Sequence, residues 1–212
     1  MRIARFVYGI ETRGNNANAY IIANEDNEAV IIDPSAKNTR VLNFIESNGL
    51  KPVAILLTHG HYDHIRGIPL LLEKYNIPVY IHELDKDLLA DSYDNVSEYA
   101  FEKVVIKVDT LPVVDKEHLN ILKGVDIEVI HTPYHTAGSC CYYLKDNSVI
   151  FTGDSLFKNS IGRDDLPTSC PRFKDQSLEK LKKLPDETKI YPGHGDISTI
   201  ENEKKTNKLF MY

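Results

Sequence analysis

No stretch of this 212-residue chain is apolar over the roughly 20 residues that a membrane-spanning helix needs. The weakly basic residues 1–8 have no apolar run behind them, so no secretory signal is visible. A membrane is therefore not an expected partner, and export is not expected either. Cysteine is scarce. Cys140, Cys141 and Cys170 are an odd number, two are adjacent, and a bridge between neighbours is strained, so no disulfide framework is read. The expected setting is reducing and cytoplasmic. Positive charge is also short, with 25 Lys and Arg against 31 Asp and Glu, a net of −6. The basic runs at 180–183 and 204–205 fall in helix-like segments and read as solvated faces, so nucleic acid is not an expected partner. Tryptophan is absent, and no repeat, low-complexity tract or Gly/Ser linker divides the chain. With 42% hydrophobic residues, the expectation is a single domain over residues 1–212 with one sizeable core.

What is present alternates short β-branched runs with helical ones. Residues 15–18 form a small polar turn. Residues 18–23 and 29–32 read as a strand pair around Glu25-Asp26-Asn27, and Asp33-Pro34-Ser35 ends the second strand. Residues 39–47 have helical spacing, with Gly49 placed to terminate them. Residues 52–57 are continuously apolar, the pattern of a strand buried on both faces. A helix is predicted over 65–75, a strand over 79–82 and a short helix over 85–91. Residues 92–118 give no clear pattern; 98–105 fits a helix or a strand. Further strands are expected at 125–131, 140–144, 148–152 and 189–191, and helices at 178–184 and 199–209. Two strand-rich halves, each ending in helices, predict two packed mixed sheets with helices outside.

The chemistry sits at strand ends. Thr58-His59-Gly60-His61-Tyr62-Asp63-His64 follows the apolar strand, where ligand sites of sheet proteins gather. An extended path would aim His59 and His61 into one cleft, and Asp63 and His64 follow a turn later. Burying four such side chains is costly without a partner, and a metal supplies one; imidazole with carboxylate suits zinc or iron. Three later segments repeat the theme: His131-Thr132-Pro133-Tyr134-His135-Thr136-Ala137-Gly138-Ser139, Thr152-Gly153-Asp154-Ser155-Leu156-Phe157 and Pro192-Gly193-His194-Gly195.

In this order the four segments resemble the metallo-β-lactamase fold superfamily, in its glyoxalase II-like (hydroxyacylglutathione hydrolase-like) branch of short single-domain type. Residues 58–64 match T-H-x-H-x-D-H in full, and 131–139 match H-T-P-G-H-T-x-G-S with Tyr134 in place of Gly. Residues 152–157 match T-G-D-x-L-F, 192–195 match P-G-H-G, and Asp33-Pro34 also fits. The resemblance implies an α/β (α+β) fold, a four-layer αββα sandwich with a binuclear centre between the sheets. It implies one ion on His59, His61 and His135, a second on Asp63, His64 and His194, and Asp154 bridging them. Zinc is the first candidate, with iron or manganese as alternatives. Arg163 resembles a basic residue that contacts substrate; the competing reading is an ion pair with a neighbouring aspartate. Tyr134 either narrows the cleft or packs outward, and His131, His82 and His118 read as structural or surface residues.

Two cations about 3.5–4 Å apart acidify a shared water. The expected reaction is attack of that bridging hydroxide on an acyl carbonyl, with Asp63 ligating a metal and orienting the hydroxide. A thiolate leaves without a dedicated acid, so a small acyl thioester is the expected substrate, and the resemblance to the glyoxalase II-like branch implies S-D-lactoylglutathione. Two alternatives stay open. One is a persulfide dioxygenase with a single iron on His59, His135 and Asp154; the other is a non-catalytic metal-binding protein on the same fold.

Overall fold

The computed structural model describes residues 6–10, 17–36 and 39–211. Asn15 and Asn16 of the expected polar turn, and most of the weakly basic start, lie outside the described residues.

Twelve strands among the described residues form two six-stranded sheets. The first contains β1 (Phe6–Ile10), β2 (Ala19–Ala23), β3 (Glu28–Ile32), β4 (Lys51–Leu56), β5 (Val79–His82) and β6 (Thr110–Val113), in that spatial order. β1, β2 and β3 are antiparallel neighbours, and β3 to β6 are parallel. The second sheet runs from β7 (His118–Leu122) through β8 (Val125–His131), β9 (Cys140–Leu144), β10 (Val149–Gly153) and β11 (Lys189–Pro192) to β12 (Ser198–Thr199). It is antiparallel except where β10 meets β11.

Alternation along the strands divides the interior into three cores. Ile55 and Leu57 face an outer layer built by α1 (Arg40–Ser47), α2 (Tyr62–Ile65) and α3 (Ile68–Leu72). Ala54 and Leu56 of the same run face the space between the sheets, where Tyr20, Ile22, Val30 and Ile32 meet Ile127, Val129, Tyr142 and Phe151. Tyr143, Ile150 and Ile190 face the other way, onto α4 (Lys174–Lys182) and α5 (Ile200–Thr206). The adjacent Cys140 and Cys141 belong to different cores because a strand turns successive side chains to opposite faces. The result is the αββα sandwich of the α/β class.

Most predicted elements are found within a residue or two. Gly49 does follow α1, with a φ of 61°. The helix expected over 65–75 is instead two short ones. The break falls at Gly67, whose N–H turns to the Pro34 carbonyl at 2.5 Å, and Pro69 follows in the first turn of α3. The expected helix at 85–91 is a 3-10 helix over Glu83–Ala90. α4 starts and ends earlier than the 178–184 expected for it.

Candidate metal centre

Every predicted donor lies just past the carboxyl end of a strand. His59 and His61 follow β4, and Asp63 and His64 occupy the single turn of α2. His135 lies in the loop after β8, Asp154 directly after β10, and His194 after β11. These loops meet at one rim of the inter-sheet space. The structure gathers all seven side chains in three overlapping groups: His59, His61 and His135; His59, His64 and Asp154; and Asp63, His64 and His194. Within each group the candidate donor atoms lie within 4.8 Å of one another.

In the first group, His61 Nδ1 is 3.1 Å from His59 Nε2 and 3.0 Å from His135 Nε2. Tetrahedral zinc with Zn–N near 2.0–2.1 Å spaces its nitrogens by about 3.3 Å, so the trio has the size of a coordination face. The opposite ring atoms decide which nitrogens carry protons. Thr58 Oγ1 donates to Asp33 Oδ2 (2.7 Å) and therefore accepts from His59 Nδ1 (3.1 Å). The Arg163 carbonyl can only accept, so His135 Nδ1 donates to it (2.8 Å). Both Nε2 atoms thus present lone pairs to His61, which can offer them at most one proton. His61 Nε2 is itself buried without a hydrogen-bond partner.

The second group sets an imidazole against a carboxylate. His64 Nδ1 bonds to Asp33 Oδ2 (2.9 Å), turning Nε2 towards Asp154. His64 Nε2 and Asp154 Oδ1 lie 3.2 Å apart, and neither completes a hydrogen bond. Asp154 Oδ2 lies 3.4 Å from His135 Nε2 and 3.7 Å from His194 Nε2, while His194 Nε2 lies 3.1 Å from Asp63 Oδ2. The inward lone pairs of His59 and His135, with the buried partnerless atoms His61 Nε2 and Asp154 Oδ1, call for positive charge among them. The donor set fits divalent metal ions for that reason.

Titration follows the same field. Burial, reinforced by His64 and His61, holds the His59 imidazole well below its usual value. Burial and the neighbouring His135 push His61 down to about 3. Burial would lower His64 too, but Asp154, Asp33 and Asp63 outweigh it and hold that ring well above the usual value. Burial would raise Asp154; His64, His135 and His194 reverse the sign and keep it ionised. Burial likewise opposes ionisation of Asp63, and His64 and His194 overcome it.

The remaining candidates separate cleanly. Arg163 is among the residues that line a cleft beside the donors, and its guanidinium is paired with Asp165 at 2.6 and 2.8 Å, the competing reading of this residue. Tyr134 packs into the outer core of the second sheet, with its hydroxyl donating to the Ser155 carbonyl, so it steadies the Asp154 loop and does not narrow the cleft. His131 stacks on His82, with ring centroids 4.0 Å apart, and His118 pairs with Asp126 at the surface.

Two buried carboxylates absent from the expected donor set organise the site. Asp33, at a left-handed φ of 48°, accepts from the Thr58 amide, the Thr58 hydroxyl and His64. Asp85 accepts from Gly60 N (3.0 Å), Thr136 Oγ1 (2.7 Å) and Gly138 N (2.6 Å), tying the His59 loop to the His135 loop. Asp33 carries the same signal as Asp154, an acid just past an apolar strand. Asp85 sits among Glu83, Lys86 and Asp87, and nothing local marks it. Asn18 and Tyr20 hold the His194 turn, bonding to the carbonyls of Pro192 and Gly195. Gly193 is required in that turn: a Cβ there would lie 2.3 Å from Asp154 Oδ1 and 2.7 Å from His64 Cε1.

Residues 12–194, including all seven donors, match the family described as the metallo-beta-lactamase superfamily. The chain belongs to that superfamily. Among its members, the chain is 38% identical over 194 residues to "Probable metallo-hydrolase YqgX" of Bacillus subtilis, covering 90% of each. It is 30% identical over 192 residues to "Hydroxyacylglutathione hydrolase GloC" of Haemophilus influenzae, covering 90% of this chain and 91% of that one. The solved structure of BLEG-1, a B3 metallo-beta-lactamase, superposes with a TM-score of 0.92 at 33% identity, covering 98% of this chain and all of that one. TTHA1623 in a di-iron-bound form gives 0.86 at 33%, covering 95% and 99%. The superfamily fold expected from the four motifs is thus the fold found.

Proposed function

We propose that this chain is a metallo-hydrolase that cleaves small acyl thioesters, with S-D-lactoylglutathione the first substrate to try. The observation that carries the reading is the ring of inward lone pairs: His59 and His135 have their protons committed outward, and Asp154 Oδ1 is buried without a hydrogen bond. His59, His61 and His135 would hold one divalent ion, Asp63, His64 and His194 a second, with Asp154 between them. Bound there, such ions supply an acidified water near neutral pH and a Lewis acid for a carbonyl oxygen.

The protein's own groups do the rest. Asp33, Thr58 and the Arg163 carbonyl fix the donor rings, so no reorganisation is needed when charge develops. Asp63, ionised and beside His194 at the open side, is placed to orient a water by accepting its proton in a hydrogen bond. Cys140 and Cys141 are buried and their thiols raised by burial, so neither is an activated nucleophile. The GloC relative supports a thioester, the di-iron neighbour makes iron a serious alternative to zinc, and BLEG-1 makes a β-lactam the competing acyl substrate. The partner in this reading is a small acyl thioester. None of the described helices is long and apolar enough to cross a membrane.

Elemental analysis of the purified protein, with S-D-lactoylglutathione hydrolysis before and after chelation, tests this. Two ions per chain and chelator-sensitive turnover are expected. A single iron with persulfide-dependent oxygen uptake would replace the hydrolase by a dioxygenase. Faster opening of a β-lactam would replace the substrate class. A metal-replete protein inert on every thioester would return a binding protein.

A further inference from the structure

Beside the donors runs a cleft of about 340 Å³ whose lining includes Tyr62, Val96, Tyr99 and Ala100. Three of these come from the segment 92–102, which the sequence pattern left unread. That segment is built to keep its shape. Asn95 and Ser97 are fully buried. Asn95 donates to the Val104 carbonyl (2.9 Å) and accepts from Ser97 N (3.0 Å); Ser97 Oγ donates to the Ser92 carbonyl (3.1 Å) and accepts from Val104 N (3.1 Å). Tyr62 N donates to the Asn95 carbonyl (3.0 Å), and Arg66 pairs with Glu102 (2.8 Å), fastening the segment to the helix that carries Asp63 and His64.

This framework holds Val96 at φ 59° and ψ 14°, a conformation that a β-branched residue rarely adopts. Such strain persists only where the surroundings impose it, and it gathers at functional sites. What the strained loop presents is apolar and uncovered: Tyr99 is 58% exposed and leans on Tyr93, ring centroids 5.8 Å apart. The side chains that this segment contributes to the lining, Val96, Tyr99 and Ala100, are uncharged, and Glu98 between them is not part of the lining and accepts from the Ser92 hydroxyl. The formal positive charge in the lining of the cleft, apart from the donor histidines, is Arg163, from the other half of the chain.

We infer that Tyr99, with Val96 and Ala100, is a recognition wall for an uncharged aromatic or alkyl group of the substrate. The molecule it selects is an acyl thioester that carries such a group and a carboxylate that takes the place of Asp165 in the exposed ion pair of Arg163. The inference deepens the hydrolase reading and rests on it for the identity of the ligand. A fixed aromatic face contributes selectivity because little order has to be imposed when the ligand arrives.

Two thioethers that cannot be hydrolysed serve as probes, 3-(benzylthio)propanoate and 3-(methylthio)propanoate, titrated by calorimetry into the metal-loaded full chain. The benzyl probe is expected to bind about ten-fold more tightly than the methyl probe. Tyr99→Phe should keep that ratio and Tyr99→Ala should bring it close to one. Arg163→Ala should weaken both probes alike and leave the ratio standing. Equal affinities in the wild type, a ratio that survives Tyr99→Ala, or no binding of either probe overturns the inference. Missing thioester turnover with the binding ratio intact would instead sink the hydrolase reading alone.

Discussion

Asp154 is the residue on which the two halves of the cluster meet, 3.2 Å from His64 and 3.4 Å from His135. Asp154→Ala should leave the fold in place, remove at least one ion per chain and abolish chelator-sensitive turnover; metal content and kcat/KM read both. Asp85 makes a different claim. It donates nothing to a metal, yet it accepts from the backbone or hydroxyl of both histidine loops. Asp85→Asn keeps the volume but puts an N–H₂ where one acceptor stood, leaving a buried N–H or hydroxyl without its partner. Losses of such supporting contacts cost about 10- to 100-fold in metal affinity. Competition with a chromogenic chelator measures this, and an unchanged affinity would reduce Asp85 to a packing residue.

At the scale of elements, the strand-end loops were legible and the spans between them less so. Residues 52–57 announced a two-faced strand because every position is apolar, and His59 to His64 followed from where that run ends. The helix over 65–75 looked continuous because the apolar spacing carries through Gly67. It breaks because the Gly67 N–H is taken by Pro34, a partner 33 positions away in sequence that periodicity cannot see. β6 was missed for a related reason. Thr110, Leu111 and Pro112 are partly or well exposed at the sheet edge, so no buried face marks them. The joint after β6 also titrates. Burial would raise Asp115, but the His131 amide and Lys180 outweigh it and hold the carboxyl below its ordinary 3.8. A depressed folded value stabilises above the unfolded value, and that share is lost as pH falls through the folded one. In metal-free protein, the urea midpoint should therefore fall on acidification below about pH 4, and Asp115→Asn should flatten that limb.

For the whole molecule, the donors divide between the sheets: His59, His61, Asp63 and His64 follow β4 of the first, while His135, Asp154 and His194 follow strands of the second. Ions that bind only the assembled site stabilise it by mass action, about 4 kcal/mol at a thousandfold excess over Kd. For a chain of this size that amounts to a Tm rise on the order of 10 °C. Calorimetric scans with and without chelator should show that difference, and coincident melts would place the ions outside the folding equilibrium. The division has a consequence for biosynthesis. None of the three donor groups can be assembled from residues 59–64 alone. A ribosome that has translated the first sheet has released four ligand side chains with no closed set to put them in. The nascent chain acquires its chelating power only after residue 135 has emerged, and its full set only with residue 194, so metal capture falls late in translation.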